Sequence, residues 1–328
     1  MAEFIVGNSL RKLARRHSLL RRVLWRLDFM LIWLIVKLAR ILPVDVASRY
    51  GKRVGAWVGA RMKRKTAIFK ENLNVVFPGI PEQELEDLVH RAWGNAGRVL
   101  AEYPHLDTIL EEPDRLELEI REHIDSYDNP DHPCVMVSAH LCNWEVICSA
   151  MAKMGMPNAS LYSPPTNPLL DKFLQDHRRA LDSELLPRDN SARHLMRALK
   201  QGRTVGMVMD RRVEDGAPVT FFGREKSSTL IPARLALKFN CELVPAQVVR
   251  LKDARYRVIF HPPIHPAAHC VDEDERALDM TRQLHALFED WIRARPEDWF
   301  CSKRMWPKGK IEKTEETGRE ADIDSYAA

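Results

Sequence analysis

A histidine and a glutamate five residues apart, His140 and Glu145, stand in the stretch SAHLCNWEV at residues 138–146. The histidine closes CVMVSA, a short apolar run of buried-strand length, and the glutamate falls where a helix is expected to begin. A neutral imidazole can take the proton of an alcohol while that alcohol attacks a carbonyl. A carboxylate on the second ring nitrogen fixes the tautomer and steadies the imidazolium that forms. The pair is then a Ser-His-Asp arrangement without its serine, because the acceptor hydroxyl is the nucleophile. The chemistry implied is acyl transfer with His140 as general base and Glu145 as its partner, with no covalent enzyme intermediate. Direct approach of the two side chains requires the turn between them to fold back. H-x4-E alone arises readily by chance; its place beyond a strand end, where open α/β sheets bind ligands, gives it weight.

The surrounding pattern must supply that strand and helix. Short apolar runs at Ser160–Tyr162, Glu184–Leu186, Thr204–Met209, Glu242–Val249 and Tyr256–His261 read as further strands. Helical periodicity alternates with them at about Pro168–Leu181, Ser191–Gln201, Thr229–Phe239 and Asp272–Arg295. Such alternation predicts an α/β fold, a mostly parallel mixed sheet flanked by helices. Asn143 can cap a helix starting at Trp144. Residues 66–128 read as an amphipathic helical lead-in to an α/β domain over 66–307. Its main helix, PEQELEDLVHRAWGNAGRVLAEY, is opened by Pro81. The tail 308–328, rich in Lys, Glu, Thr and Asp, reads as disordered.

The first 65 residues differ from the rest. They hold 16 Lys+Arg against three acids, a net charge of +13, whereas the remainder carries 34 against 43, a net of −9. Their apolar core, Phe29–Val36, is bounded by Asp28 and Lys37 and is shorter than the roughly 20 residues that span a bilayer. With Trp25 and Trp33 beside it, the region reads as an interfacial helix or one marginal span facing anionic lipid, with an ordinary core helix as the plainer alternative. The run RMKRK at 61–65 is either a solvated face or part of that lipid contact. No small-residue cleavage site follows, which excludes a signal peptide. The apolar run also argues against nucleic acid as the basic region's partner. Six cysteines without paired spacing argue against a zinc site or disulfide framework and suit a reducing cytoplasm. No metal and no cofactor are expected. The expected location is the cytoplasmic face of the inner membrane, held peripherally or by a single N-terminal anchor.

Three blocks in order carry a family resemblance over about residues 20–305. SAHLCNWE resembles the H-x4-D/E block of the lipid A biosynthesis acyltransferases. FKENLNVVFPGI with its following helix resembles their "NL…FP" segment. VGMVMDRRVEDGAPVTFFGREKSSTLIPARLALKF resembles their second block, an aspartate after a strand followed by FFG and a helix. The resemblance implies a glycerolipid-acyltransferase-like fold and transfer of a fatty acyl group from acyl carrier protein (ACP) or a coenzyme A (CoA) thioester to a glycolipid hydroxyl. It implies His140 as base, Glu145 as partner, and Asp210 and Arg211 on the second block. Arg211 becomes a candidate for stabilising an oxyanion or holding a phosphate. Asn143, Gly223 and Arg224 join the candidate binding residues. Phe221–Arg224 would shape the acyl or phosphopantetheine side of the cleft, and Ser228 and Thr229 could cap the next helix. RPEDWFCSKRMWP at 295–307 departs from the family's PEQ-aromatic-Trp stretch at Phe300 and Cys301 but keeps basic Lys303 and Arg304.

Plainer readings stand beside these. Asp210 can be a strand-end turn former, Arg211 and Arg212 a solvated pair, Trp144 a packing residue and Asn143 only a cap. His177, His194, His261 and His265 read as surface or structural residues. Rival functions are acylation of another lipid, such as a phosphatidylinositol mannoside or lysophospholipid, and a membrane scaffold that kept the fold without turnover.

Overall fold

The computed structural model describes residues 10–307 apart from 130, 180–182 and 189–190. The expected tail and the side chain of His177 lie outside the described residues. Six helices come first: α1 (Arg11–Arg16), α2 (Ser18–Ile41), α3 (Val44–Arg61), α4 (Lys63–Val76), α5 (Glu82–Glu102) and α6 (Leu106–Glu111). Strand β1 (Leu116–Ile120), β2 (Val135–Ser138), α7 (Val146–Lys153), β3 (Asn158–Tyr162), α8 (Pro168–Arg179) and β4 (Ser183–Pro187) follow. The chain continues through α9 (Ser191–Lys200), β5 (Thr204–Val208), the hairpin β6 (Ala217–Phe221) and β7 (Arg224–Ser228), and α10 (Ile231–Phe239). It closes with β8 (Leu243–Arg250), β9 (Tyr256–Phe260) and α11 (Glu273–Ala294).

Seven strands form one sheet in the order β1-β9-β8-β2-β5-β3-β4, parallel except where β8 meets β9. The mostly parallel α/β expectation is met. Every residue of β2 is buried, as a central strand covered by helices on both faces requires. Each buried Val or Met side chain there contributes about 1.5–3 kcal/mol.

Two elements depart from the sequence reading. The lead-in does not stay helical, because LELEI forms edge strand β1, parallel to β9, its period-two alternation matching one half-covered face. The β6–β7 hairpin also had no counterpart, since REKSS carries too little apolar character to read as a strand.

Helix α3 lies so close to α5 that only glycine fits between them. A Cβ on Gly55 would stand 2.4 Å from the Trp93 carbonyl oxygen, and one on Gly97 would stand 2.1 Å from that of Gly51. Helix α2 is fixed to the sheet through the loop beyond β3: Asn167 Nδ2 donates to the Trp25 carbonyl at 2.8 Å, and Phe29 meets Phe173 edge-on at 5.9 Å. No helix of the described residues is long and apolar enough to cross a membrane.

Candidate active site

Strands β2 and β5 are parallel neighbours with Ser138 opposite Val208. His140 lies two residues past the end of β2, and Asp210 two residues past the end of β5, so the register alone carries both to one point beyond the carboxyl edge. There His140 Nδ1 meets Asp210 Oδ1 at 2.5 Å, and the His140 backbone N–H donates to the same oxygen at 3.2 Å. The other carboxylate oxygen accepts from Trp299 Nε1 at 2.9 Å. Asp210 is fully buried. Burial by itself would raise its pKa, but the charge and hydrogen bond of His140, with Arg211 and Trp299, hold it well below the usual carboxylate range. An ionised Asp210 therefore assigns the hydrogen to Nδ1. Nε2, which bonds to none of the described residues, is left as the basic nitrogen.

The loop bearing His140 is held from two sides. Cys142 sits at a φ of 51°, its N–H donating to the Asp298 carbonyl at 2.8 Å, while Phe300 N–H donates to the His140 carbonyl at 2.8 Å. Asn143 is fully buried and donates through Nδ2 to Glu102 at 3.1 Å. The same carboxylate takes Arg250 Nη1 at 2.5 Å and Nη2 at 3.0 Å, Ser48 Oγ at 2.5 Å, and the Tyr256 hydroxyl. Glu102 thus ties α5, α3, β8 and β9 to the turn after His140. Asn143 holds that turn from inside. It caps no helix, because α7 begins at Val146 after Glu145 and has no side-chain cap.

The carboxylate on Nδ1 is therefore Asp210, the place expected for Glu145. Glu145 Oε1 accepts from the indole N–H of Trp144 at 3.1 Å. Five residues of chain bring Glu145 near the imidazole in sequence, but the parallel register brings Asp210 to it in space. Glu145 and Trp144 stand on the wall of a cavity of about 60 Å³ that runs between α7 and the sheet, floored by Met151, Gly206 and Met207. Trp144 packs edge-on to His140 at 5.1 Å and stacks on Phe300 at 6.0 Å, so it packs against the imidazole while also bordering the cavity. Phe300, the departure in the last block, continues that stack onto Phe69 and Trp93.

Arg211 is half-buried beside Asp210, with its Nε enclosed and without a hydrogen-bond partner. Burial, with the nearby charge of Arg188, lowers its pKa while Asp210 opposes the shift. In the FFGR segment the backbone turns and the two aromatic rings face inward. Gly223, at a φ of 68°, and Phe222, at 51°, form the two-residue turn of the β6–β7 hairpin, and Arg224 is exposed beyond it. The rings of Phe221 and Phe222 are buried against Trp299, each at 6.2 Å, and so brace the indole that holds Asp210. Thr229 Oγ1 accepts from the N–H of Ile231 at 3.2 Å, but the N-cap of α10 is Leu230, without a side-chain cap, and Ser228 turns inward to His285 at 3.1 Å.

Sequence reasoning missed Trp299, Lys226 and the Glu102 network. The tryptophan of the PEQ-aromatic-Trp stretch was the available signal for the first. Lys226 donates to the Asp210 main-chain carbonyl at 2.5 Å from a fully buried position. Nothing in REKSS marks that lysine as inward-facing.

Comparison with known proteins places the chain in a family. The family model for bacterial lipid A biosynthesis acyltransferases matches residues 15–308. The chain belongs to this family. It is similar to the lipid A biosynthesis lauroyltransferase of Escherichia coli, 28% identical over 84% of this chain and 88% of that one. It is also similar to a lipid A biosynthesis acyltransferase of Haemophilus influenzae, 21% identical over 82% and 85%. A phosphatidylinositol mannoside acyltransferase of Mycobacterium tuberculosis matches at 28% over a shorter region, 42% of this chain and 43% of its own. As a member of the lipid A acyltransferase family, the chain is an enzyme that transfers an acyl group to a lipid acceptor.

Proposed function

We propose that this enzyme transfers a fatty acyl group from acyl-ACP, or from acyl-CoA, to a hydroxyl of a lipid A precursor or related glycolipid. The observation that carries the reading is an imidazole held on Nδ1 by a buried, ionised aspartate, with Nε2 turned loose at the carboxyl edge of the sheet. His140 Nε2 takes the acceptor's proton as its oxygen attacks the thioester carbonyl. The imidazolium, steadied by Asp210, then returns that proton to the departing thiolate, leaving an ester and a free thiol. Arg211, half-buried beside Asp210, would face developing negative charge on the carbonyl oxygen or a phosphate of either substrate. Glu145 and Trp144 border the apolar cavity into which an acyl chain would lead.

The acceptor is a membrane lipid, and the N-terminal helices suit an enzyme working at an anionic bilayer surface. Leu19, Met30, Trp33, Ile35 and Ile41 of α2 are exposed, as are Val54 and Trp57 of α3. Lys37 lies over the Trp33 ring and Arg61 over that of Trp57, as at a headgroup boundary. We assign this surface to the cytoplasmic face of the inner membrane.

The test is a transfer assay with acyl donor and a lipid A precursor, comparing wild type with His140→Ala. Product from the wild type alone supports the reading. Equal product from both removes His140 as base. Product only with a phosphatidylinositol mannoside or a lysophospholipid moves the acceptor to the rival class. Acyl-chain binding without product in any assay would mean a scaffold.

A further inference from the structure

Lysine is almost never fully buried without a countercharge, yet Lys226 has no accessible surface. Its Nζ donates to the main-chain oxygen of Asp210 and lies 4.4 Å from the centre of the Phe221 ring. Both carboxylate oxygens of Asp210 are already engaged, Oδ1 by His140 and Oδ2 by Trp299. The ammonium thus reaches the aspartate through its backbone, by a contact separate from those of the imidazole and the indole.

We propose that Lys226 is a positioning residue for the reaction, a buried ammonium that offsets the Asp210 carboxylate so that His140 stays unprotonated and available as the base. This rests on the reading of His140 as general base. A lone buried carboxylate would hold the imidazolium tightly, because nothing else in a low-dielectric interior screens it. With Lys226 behind it, the aspartate presents a nearly balanced pair. Arg211 shares in that balance from a half-buried position, and the remaining titratable groups around this unit do not. His285 on α11 is kept neutral by burial and then by the charge of Lys226, which push it down to about 3. It donates through Nδ1 to the Thr281 carbonyl at 2.8 Å and takes Ser228 Oγ on Nε2. Arg211 adds a second, half-buried positive charge beside Asp210. Glu145 stands on the turn after His140, and Arg293 of α11 lies over the Phe222 ring, 4.9 Å from its centre. Burial brings the Lys226 ammonium down to about 8, so it remains charged through the range in which a histidine base works.

The experiment compares full-length wild type with Lys226→Met, which keeps length without charge, and Lys226→Arg, which keeps charge. The first readout is the pH dependence of kcat/KM for acyl transfer. In Lys226→Met the acid limb should move to higher pH by on the order of one unit, and in Lys226→Arg it should stay in place. The second readout needs no acyl substrate: carbethoxylation of His140 by diethyl pyrocarbonate, which attacks unprotonated imidazole, followed by peptide mass. Its midpoint should shift the same way. If that midpoint shifts while no acceptor is acylated, the lysine's role stands and the acyl-transfer reading falls. A folded Lys226→Met with a wild-type midpoint and only a lower plateau would overturn the proposal, since that is what a purely structural lysine gives. Should the methionine variant fail to fold, Lys226→Gln takes its place under the same criteria, its amide able to donate to the Asp210 carbonyl without charge.

Discussion

Replacing Asp210 by asparagine changes one atom and removes the charge that steadies the imidazolium and fixes its tautomer. The expected result is a fall in kcat of roughly 10²–10⁴-fold, with KM little changed and far-ultraviolet circular dichroism unaltered. Glu145→Gln should cost no more than this, and steady-state kinetics of the two variants side by side decide which carboxylate the histidine depends on. Trp299→Phe keeps the ring but withdraws the indole hydrogen from Asp210 Oδ2. Leaving that buried oxygen short of a donor should cost about 1–3 kcal/mol of stability, read from urea melts, together with a lower kcat. His140, the proposed base, was legible because a histidine after a buried run announces itself. Its partner was harder to read: sequence nearness favoured Glu145, whereas Asp210 is 70 residues away and arrives only through strand register. Asn143, Gly223 and Arg224 belonged to the right segments, but their types fit a turn or an anchor as well as a binding site, and the structure uses Asn143 and Gly223 in those roles. Burial also sets pH behaviour. His285, held near 3, and His261, pushed down to about 4 by burial, bind protons more readily in the unfolded chain. Stability should therefore fall as pH drops from about 6.5 toward 3. His285→Gln should flatten that decline in denaturant midpoints measured across the range.

Among the elements, the α3–α5 contact and the Glu102 network form one unit, because Glu102 is the last residue of α5. Gly97→Ala would force the two helices apart and should destabilise by at least about 1–3 kcal/mol. Glu102→Gln would strand the Arg250 guanidinium in the core, with an expected loss of roughly 3–5 kcal/mol. Both are measured by chemical denaturation. The strands of the parallel core were readable as short apolar runs, within a residue or two of their ends. Strand β1 and the β6–β7 hairpin were not: the alternation of LELEI is only five residues long and follows a run of helices, and REKSS owes its conformation to its pairing partner. The N-terminus of α7 was placed early for a related reason. Asn143, a residue type that caps helices, is drawn instead toward Glu102.

At the scale of the whole molecule, the basic apolar end and the catalytic edge are joined. The loop that fixes α2 leaves the carboxyl end of β3, the same edge from which His140 and Asp210 project. A lipid acceptor drawn from a bilayer under α2 and α3 would then have a short path to the base. Sedimentation with vesicles should show binding that requires anionic lipid and weakens in high salt. The double variant Trp33→Ser, Trp57→Ser should reduce the bound fraction while leaving transfer to detergent-dispersed acceptor unchanged. The charge imbalance behind this expectation was visible in composition alone; the attachment of α2 to the sheet was not, because it depends on Asn167 and Phe173.

The contacts of Trp299 and Phe300 also set a timetable. A chain released from synthesis just before residue 298 would contain all seven strands of the sheet, yet it would lack the indole that grips Asp210 and the backbone donor that holds the His140 loop. Acquisition of activity thereby waits until residues 298–300 have been made. A shortened product also lacks Trp299, Cys301, Met305 and Trp306 from the main core, so packing and site are completed by the same segment.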